Sequence, residues 1–133
     1  MSTALPDALA PAPEYRVIVT GSRDFNDRDA IRRALEALTT HANVTIVHGG
    51  ARGADHIAAE EADYIGYTVE EHPADWARHG KRAGILRNLE MLDAGATRVI
   101  AFWDGQSRGT AHTIRAARER GMRVSIVRPG GEL

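Results

Sequence analysis

Short β-branched runs alternating with longer helical patterns constrain this chain more than any other feature of its sequence. The runs are Tyr15–Thr20, Val44–His48, Tyr67–His72, Arg98–Trp103 and Arg123–Val127. Each has the length of a strand, and several are almost continuously apolar, as strands covered on both faces are. Between the runs, apolar residues fall at helical spacing. Ile31, Ala34, Leu35 and Leu38 share one face of a first helix, and Ile57 and Ile65 with Ala54, Ala58 and Ala62 share one face of a second. Ile85, Leu86, Leu89 and Leu92 mark a third; Ile114 and Ala117 mark a weaker fourth, between Thr110 and Arg120. Gly66, Gly95 and Gly121 stand where helices end on glycine. Strands alternating with helices pair in parallel, because parallel neighbours need a crossover connection. The expectation is an α/β fold: a single Rossmann-like three-layer domain over residues 15–133, its five-stranded parallel sheet flanked by helices.

Composition removes several alternatives. A chain of 133 residues has room for one such domain. It has no cysteine, which excludes disulfides, thiolate metal sites, iron–sulfur clusters and a cysteine nucleophile. No apolar run approaches the roughly 20 residues needed to span a bilayer. Residues 1–14 lack the basic start and apolar stretch of a signal peptide. Pro6, Pro11 and Pro13 oppose helix there, so a flexible tail on a cytoplasmic protein is expected. The formal net charge of −1 creates no basic field, and on that ground a nucleic-acid partner is disfavoured.

In an open parallel sheet, ligands sit beyond the carboxyl ends of the strands, so the turns after the strands carry the functional information. The first strand runs into Gly21-Ser22-Arg23, where small residues let backbone approach a ligand and Arg23 offers a donor fork for phosphate. The same turn can equally serve only to launch a helix capped by Asp27. The second runs into Gly49-Gly50-Ala51-Arg52-Gly53-Ala54-Asp55. Glycines ahead of a helix present N–H groups to an anion, so Gly49, Gly50, Arg52 and Gly53 are expected to hold phosphate or ribose. Asp55 either accepts from ribose hydroxyls or complements the helix dipole. The third leads to Asp75 and Trp76, an acid beside a ring that either stacks on a base or plugs the core. Arg87 and Asn88 open the polar face of the next helix, reaching the cleft or facing solvent. The fourth leads to a turn in which Ser107, Gly109 and Thr110 can bond phosphate oxygens, cap the helix, or do both. Trp103, just before it, is a second candidate to cover a base.

Several familiar motifs fail on inspection. Gly105-Gln106-Ser107-Arg108-Gly109 matches the nucleophile elbow, but no acid followed by a histidine comes after it. Gly80-Lys81-Arg82 resembles a P-loop ending, yet Asp75 replaces its first glycine and Arg82 its hydroxyl. The turn after the first strand lacks G-x-G-x-x-G, against an ordinary NAD dehydrogenase. The six histidines show no paired ligand spacing, and no metal site is expected. A magnesium ion carried in by a nucleotide would leave no such signature.

Taken in order, Gly21-Ser22-Arg23-Asp24-Phe25, His48-Gly49-Gly50-Ala51-Arg52-Gly53-Ala54-Asp55, Pro73-Ala74-Asp75-Trp76, Arg87-Asn88-Leu89-Glu90-Met91 and Ser107-Arg108-Gly109-Thr110 resemble the YspA/YpsA-like branch of the SLOG (Smf/DprA and LONELY GUY) superfamily. The resemblance implies a Rossmannoid fold, a small nucleotide or nucleotide-derived ligand such as one like ADP-ribose, and a homo-oligomer. Relatives of the LONELY GUY type cleave the N-glycosidic bond of nucleoside monophosphates, and others bind DNA or sense nucleotide signals. The cleaving enzymes carry R-K-x-x-M, of which Arg87 and Met91 are kept while Asn88 stands for the lysine. They also carry P-G-G-x-G-T-x-x-E, of which Gly109 and Thr110 are kept while Thr113 stands for the glutamate. Loss of that carboxylate removes the obvious group for hydrolysis. Binding as a sensor, carrier or sequestering domain is therefore the leading expectation. A nucleotide hydrolase using Asp75, Arg87 or Glu90 is the alternative.

Overall fold

The computed structural model describes residues 14–130. The tail expected over residues 1–14 thus lies outside the described residues except for Glu14. The elements run in the order β1 (Tyr15–Gly21), α1 (Arg28–Glu36), β2 (Val44–His48), α2 (Ala54–Ile65), β3 (Thr68–Glu71), α3 (Trp76–His79), α4 (Ala83–Ala94), β4 (Arg98–Phe102), α5 (Arg108–Glu119) and β5 (Val124–Val127). Two 3-10 turns, Ala37–Thr40 and Gly80–Arg82, extend α1 and lead into α4. All pairings are parallel, and the strand order is β3-β2-β1-β4-β5. This is the Rossmann-like α/β architecture expected from the alternating pattern.

Strand alternation sends neighbouring residues to opposite faces. Val17 and Val19 pack with Phe25, Ile31, Leu35 and Ala58 under α1 and α2. Ile18, Val47 and Val99 pack with Met91, Leu92 and Ala117 under α4 and α5. Every one of these side chains is almost fully withdrawn from solvent. Burying each of the larger ones stabilises the fold by about 1.5–3 kcal/mol. Local signals set the helix ends. Asp27 caps α1 by accepting from the Ala30 N–H at 3.1 Å, and its other oxygen accepts from the Gly130 N–H at 2.7 Å, tying the segment after the last strand to the first helix. Gly66 ends α2 in the left-handed conformation, as its position predicts.

Two expectations need correction. The third strand is Thr68–Glu71, shorter than Tyr67–His72, because the Tyr67 N–H closes the end of α2 by donating to the Ala62 carbonyl at 2.9 Å. The stripe on α4 is also rotated. Ala83, Arg87, Met91 and Leu92 are buried, while Ile85 is 40% exposed. Period counting places an arginine outside; here the Arg87 guanidinium finds enough backbone acceptors to stay inside.

The chain reverses direction across the sheet between β1 and β4, so the connections leaving these neighbours diverge to opposite faces. A crevice opens where they part. No helix among the described residues is long and apolar enough to cross a membrane.

Candidate functional site

A cleft of about 520 Å³ occupies that crevice, a volume suited to a small ligand. One wall is the turn after β1, with Gly21, Ser22, Arg23 and Asp24. Ser22 holds this corner together. Its N–H donates to the Phe102 carbonyl at 3.0 Å, its carbonyl accepts from Phe25 and Ala54, and its hydroxyl accepts from the Asp104 N–H at 3.4 Å. Arg23 is exposed beside it.

The opposite wall is the turn after β4. Asp104 accepts from the N–H groups of Ser107 and Gln106, both at 2.8 Å. Those donors hold its carboxyl below the usual range. Ser107 caps α5, its hydroxyl 3.4 Å from the Thr110 N–H and 3.2 Å from the Thr110 hydroxyl. Ser107, Gly109 and Thr110 line the cleft, so the positive end of a three-turn helix opens on it.

Trp76, Lys81, Gly84, Ile85, Arg87 and Asn88 complete the lining from α3, α4 and the turn between them. Trp76 is 50% exposed, and its ring lies against Gly84, where a β-carbon would be 3.5 Å away. It therefore offers a face at the rim and does not plug the core. Ala51 and Asp55 come from the second turn.

A polar network runs through the lining and behind it. Arg87 donates to the carbonyls of Gly49 and His72 and to the Asn88 side-chain oxygen. The Asn88 amide donates to the Thr113 hydroxyl at 2.9 Å, which donates to the Gly109 carbonyl at 3.1 Å. The two departures from the cleaving enzymes' motifs, Asn88 and Thr113, thus meet in one neutral hydrogen bond. Asp55 is 5% exposed and accepts from the N–H groups of Gly49 at 3.1 Å and Ala51 at 3.4 Å. Burial pushes its carboxyl up to about 6, against the pull of Arg87 and of those two donors. Burial likewise lowers the pKa of Arg87 and of His48, whose ring accepts from the Gly50 N–H at 3.0 Å.

Of the residues singled out in the sequence, Gly21, Ser22, Arg23, Asp55, Trp76, Arg87, Asn88, Ser107, Gly109 and Thr110 are brought together around the cleft. The others are not. Gly49 leaves room for the Arg87 guanidinium, and Gly50 lies against the Glu71 carboxylate. Gly53 has φ +81°, and a β-carbon there would sit 2.7 Å from the Ser22 carbonyl oxygen and closer still to that of Arg23. This turn is glycine-rich because three neighbours press on it, and the N–H groups of Gly49, Gly50 and Ala51 are already taken by the Asp55 carboxylate and the His48 ring. Arg52 is exposed and outside the lining. Asp75 caps α3 by accepting from the Arg78 N–H at 3.1 Å. Glu90 lies on the solvent side of α4, and Trp103 donates its indole N–H to the Ser107 carbonyl at 3.0 Å. Lys81, Asp24 and Ile85 were not anticipated as site residues. Lys81 was visible only as the relic of a failed P-loop pattern.

Residues 15–79 match the model of the YspA, cpYpsA-related SLOG family. Over 116 residues the chain is 46% identical to the Gene 61 protein of Mycobacterium phage D29, covering 82% of this chain and 93% of that protein. Among solved structures, it is similar to DNA processing protein A of Streptococcus pneumoniae, with a TM-score of 0.71, 20% identity, and coverage of 86% of this chain and 50% of that one. DNA processing protein A of Helicobacter pylori gives a TM-score of 0.65 and 19% identity, covering 85% and 65%. The chain spans only half the length of the first, and both likenesses concern the fold. The Helicobacter protein is described by a single-stranded DNA binding mode. The expectation against a nucleic-acid partner is thereby corrected. Net charge summed over a chain does not report the field at one cleft, and here Arg23 and Lys81 line the cleft while Arg82 and Arg108 adjoin its walls in sequence. Close identity along nearly the whole of a phage relative, with the family match from β1 through α3, supports one conclusion: the chain belongs to the YspA, cpYpsA-related SLOG family.

Proposed function

We propose that this protein binds a small nucleotide-derived ligand in the cleft between the β1 and β4 turns, with its phosphate at the N-terminus of α5 and its base against Trp76. One observation carries the reading: a helix N-terminus, two cations (Arg23 and Lys81) and a half-exposed indole share one cleft. The helix end and the cations favour an anion, and the ring favours a planar heterocycle. Phosphate therefore belongs to the β4–α5 turn, and the glycine turn after β2 serves as scaffold. A nucleoside diphosphate sugar of the ADP-ribose kind suits the volume and the two cations.

The reading is one of binding without turnover. Asp104 and Asp55 are engaged by backbone N–H groups, and Thr113 stands where the cleaving enzymes carry a glutamate. Calorimetric titration with AMP, ADP-ribose and adenosine tests this. Both phosphorylated ligands are expected to bind, and adenosine about tenfold more weakly or worse. Equal affinity for adenosine would refute the phosphate assignment, and release of free base during the titration would refute the pure-binding reading.

A second reading has its own support. Trp76 is followed by Arg78, Lys81 and Arg82, all exposed, an aromatic platform beside cations such as single strands use. A single-stranded nucleic acid could enter the same cleft by one nucleotide. Competition of oligothymidylate with ADP-ribose would favour this reading, and its absence would leave the small ligand.

A further inference from the structure

The sheet has two edges, and the sequence treats them differently. Exposed edge strands are templates for pairing, and proteins blunt them with charge. β3 carries Glu70 and Glu71. β5, at the other edge, reads Val-Ser-Ile-Val and carries no charge within the strand. The carbonyl of Arg123 accepts from Val99 of β4 at 2.8 Å and that of Val127 from Trp103, just past β4, at 3.0 Å, so by alternation the backbone groups of Val124 and Ile126 point off the sheet. Beside this edge runs a groove of about 500 Å³. Trp103, Ala111, Ile114 and Ile126 give it an apolar lining.

Charge around the groove is one-sided. Arg115 and Arg118 flank it, and Arg123 and Arg128 bracket β5; all four are exposed. None of the four has an ion-pair partner among the described residues, whereas Arg16, Arg28, Arg32 and Arg120 all have one. Glu119 is the one acid lining the groove among the described residues.

We infer that this groove receives an extended peptide segment of a partner protein, apolar at alternate positions and acidic at its flanks, which adds a strand to the β5 edge. Its backbone would pair with Val124 and Ile126, alternate side chains would fill the apolar groove, and the flanking acids would meet the four arginines. A second copy of this chain fits poorly, since two-fold pairing of β5 would bring the same uncompensated arginines of both copies to one seam and supply no acidic flank to meet them. A nucleic acid would answer the arginines but leave the apolar lining and the strand edge unused.

The test uses the full, isotope-labelled chain titrated with a short peptide of alternating valine and threonine ended by glutamates, and with the same peptide ended by lysines. Amide exchange and shifts are read by NMR. The glutamate peptide is expected to protect the Val124 and Ile126 amides and to bind about tenfold tighter than the lysine peptide. The double change Arg115→Glu and Arg118→Glu should invert that preference, with the response to ADP-ribose kept as a check on folding. Equal response to both peptides, or none, would overturn the inference. So would a concentration-dependent dimer abolished by Ile126→Asp, or oligothymidylate shifting the same amides more strongly than the glutamate peptide.

Discussion

Replacing Asp55 by asparagine tests the reading of the second turn. Asp55 is buried, and its carboxyl rises from its ordinary 3.8 to about 6 chiefly because burial penalises the charge. The folded chain therefore holds this proton at pH values where the unfolded chain has released it. Stability from this group is greatest below pH 4 and is lost as the pH rises through about 6. The gap between 3.8 and about 6 corresponds to about 3 kcal/mol by pH 7. Asp55→Asn keeps an acceptor for the Gly49 and Ala51 N–H groups but cannot ionise. Other groups titrate nearby. Burial of neutral His48 costs stability below pH 6.5, and Glu70, held at about 2 chiefly by Arg16, acts at lower pH. Both are present in the parent and the variant, so the difference between the two isolates Asp55. Urea unfolding from pH 4 to 8 is the assay. The parent should lose about 2 kcal/mol relative to the variant between pH 4 and pH 7, because at pH 4 the unfolded carboxyl is already partly ionised. Two parallel profiles would mean that Asp55 ionises normally and that its burial carries no such cost.

Other outcomes follow from the same geometry. Gly53→Ala should cost about 2 kcal/mol or more in chemical denaturation, because it combines positive φ with a clash against the Ser22 and Arg23 carbonyls. Gly109→Ala, with nothing within 4 Å of its β-carbon, should change stability by less than about 1 kcal/mol. Thr113→Val removes the acceptor of the Asn88 amide and should cost about 1–3 kcal/mol, read as a lowered midpoint at unchanged slope. Ser107→Ala should lose about 1 kcal/mol of helix capping and weaken ADP-ribose binding together, whereas Arg52→Ala should leave that affinity untouched.

The strands were legible because burial on both faces forces continuous apolar runs, and Val17 to Val19 could hardly belong elsewhere. Where β1 and β4 turn was legible too, since Gly21 and Ser22 stand at the end of β1, and Gly105 and Gly109 lie between the end of β4 and the first turn of α5. Two physical effects hid the rest. Glycine marks close approach without saying by what: at Gly49 the neighbour is an arginine side chain, and at Gly53 it is the backbone of the first turn. Charge marks solvent only on average, and Arg87 is buried because the carbonyls of Gly49 and His72 meet its donors. Both effects depend on residues far apart in the chain, which no local pattern records. Lys81 and Asp104 reach the cleft from irregular turns, where periodicity has nothing to say.

The central claim, that a phosphorylated ligand sits between the β1 and β4 turns and not on the glycine turn after β2, is tested most directly by amide shift mapping with ADP-ribose. The account predicts saturable shifts at Ser22, Arg23, Ser107, Gly109 and Thr110, with Gly50, Arg52 and Gly53 nearly unmoved. Shifts confined to residues 49–53, or none at all from a folded sample, would contradict it.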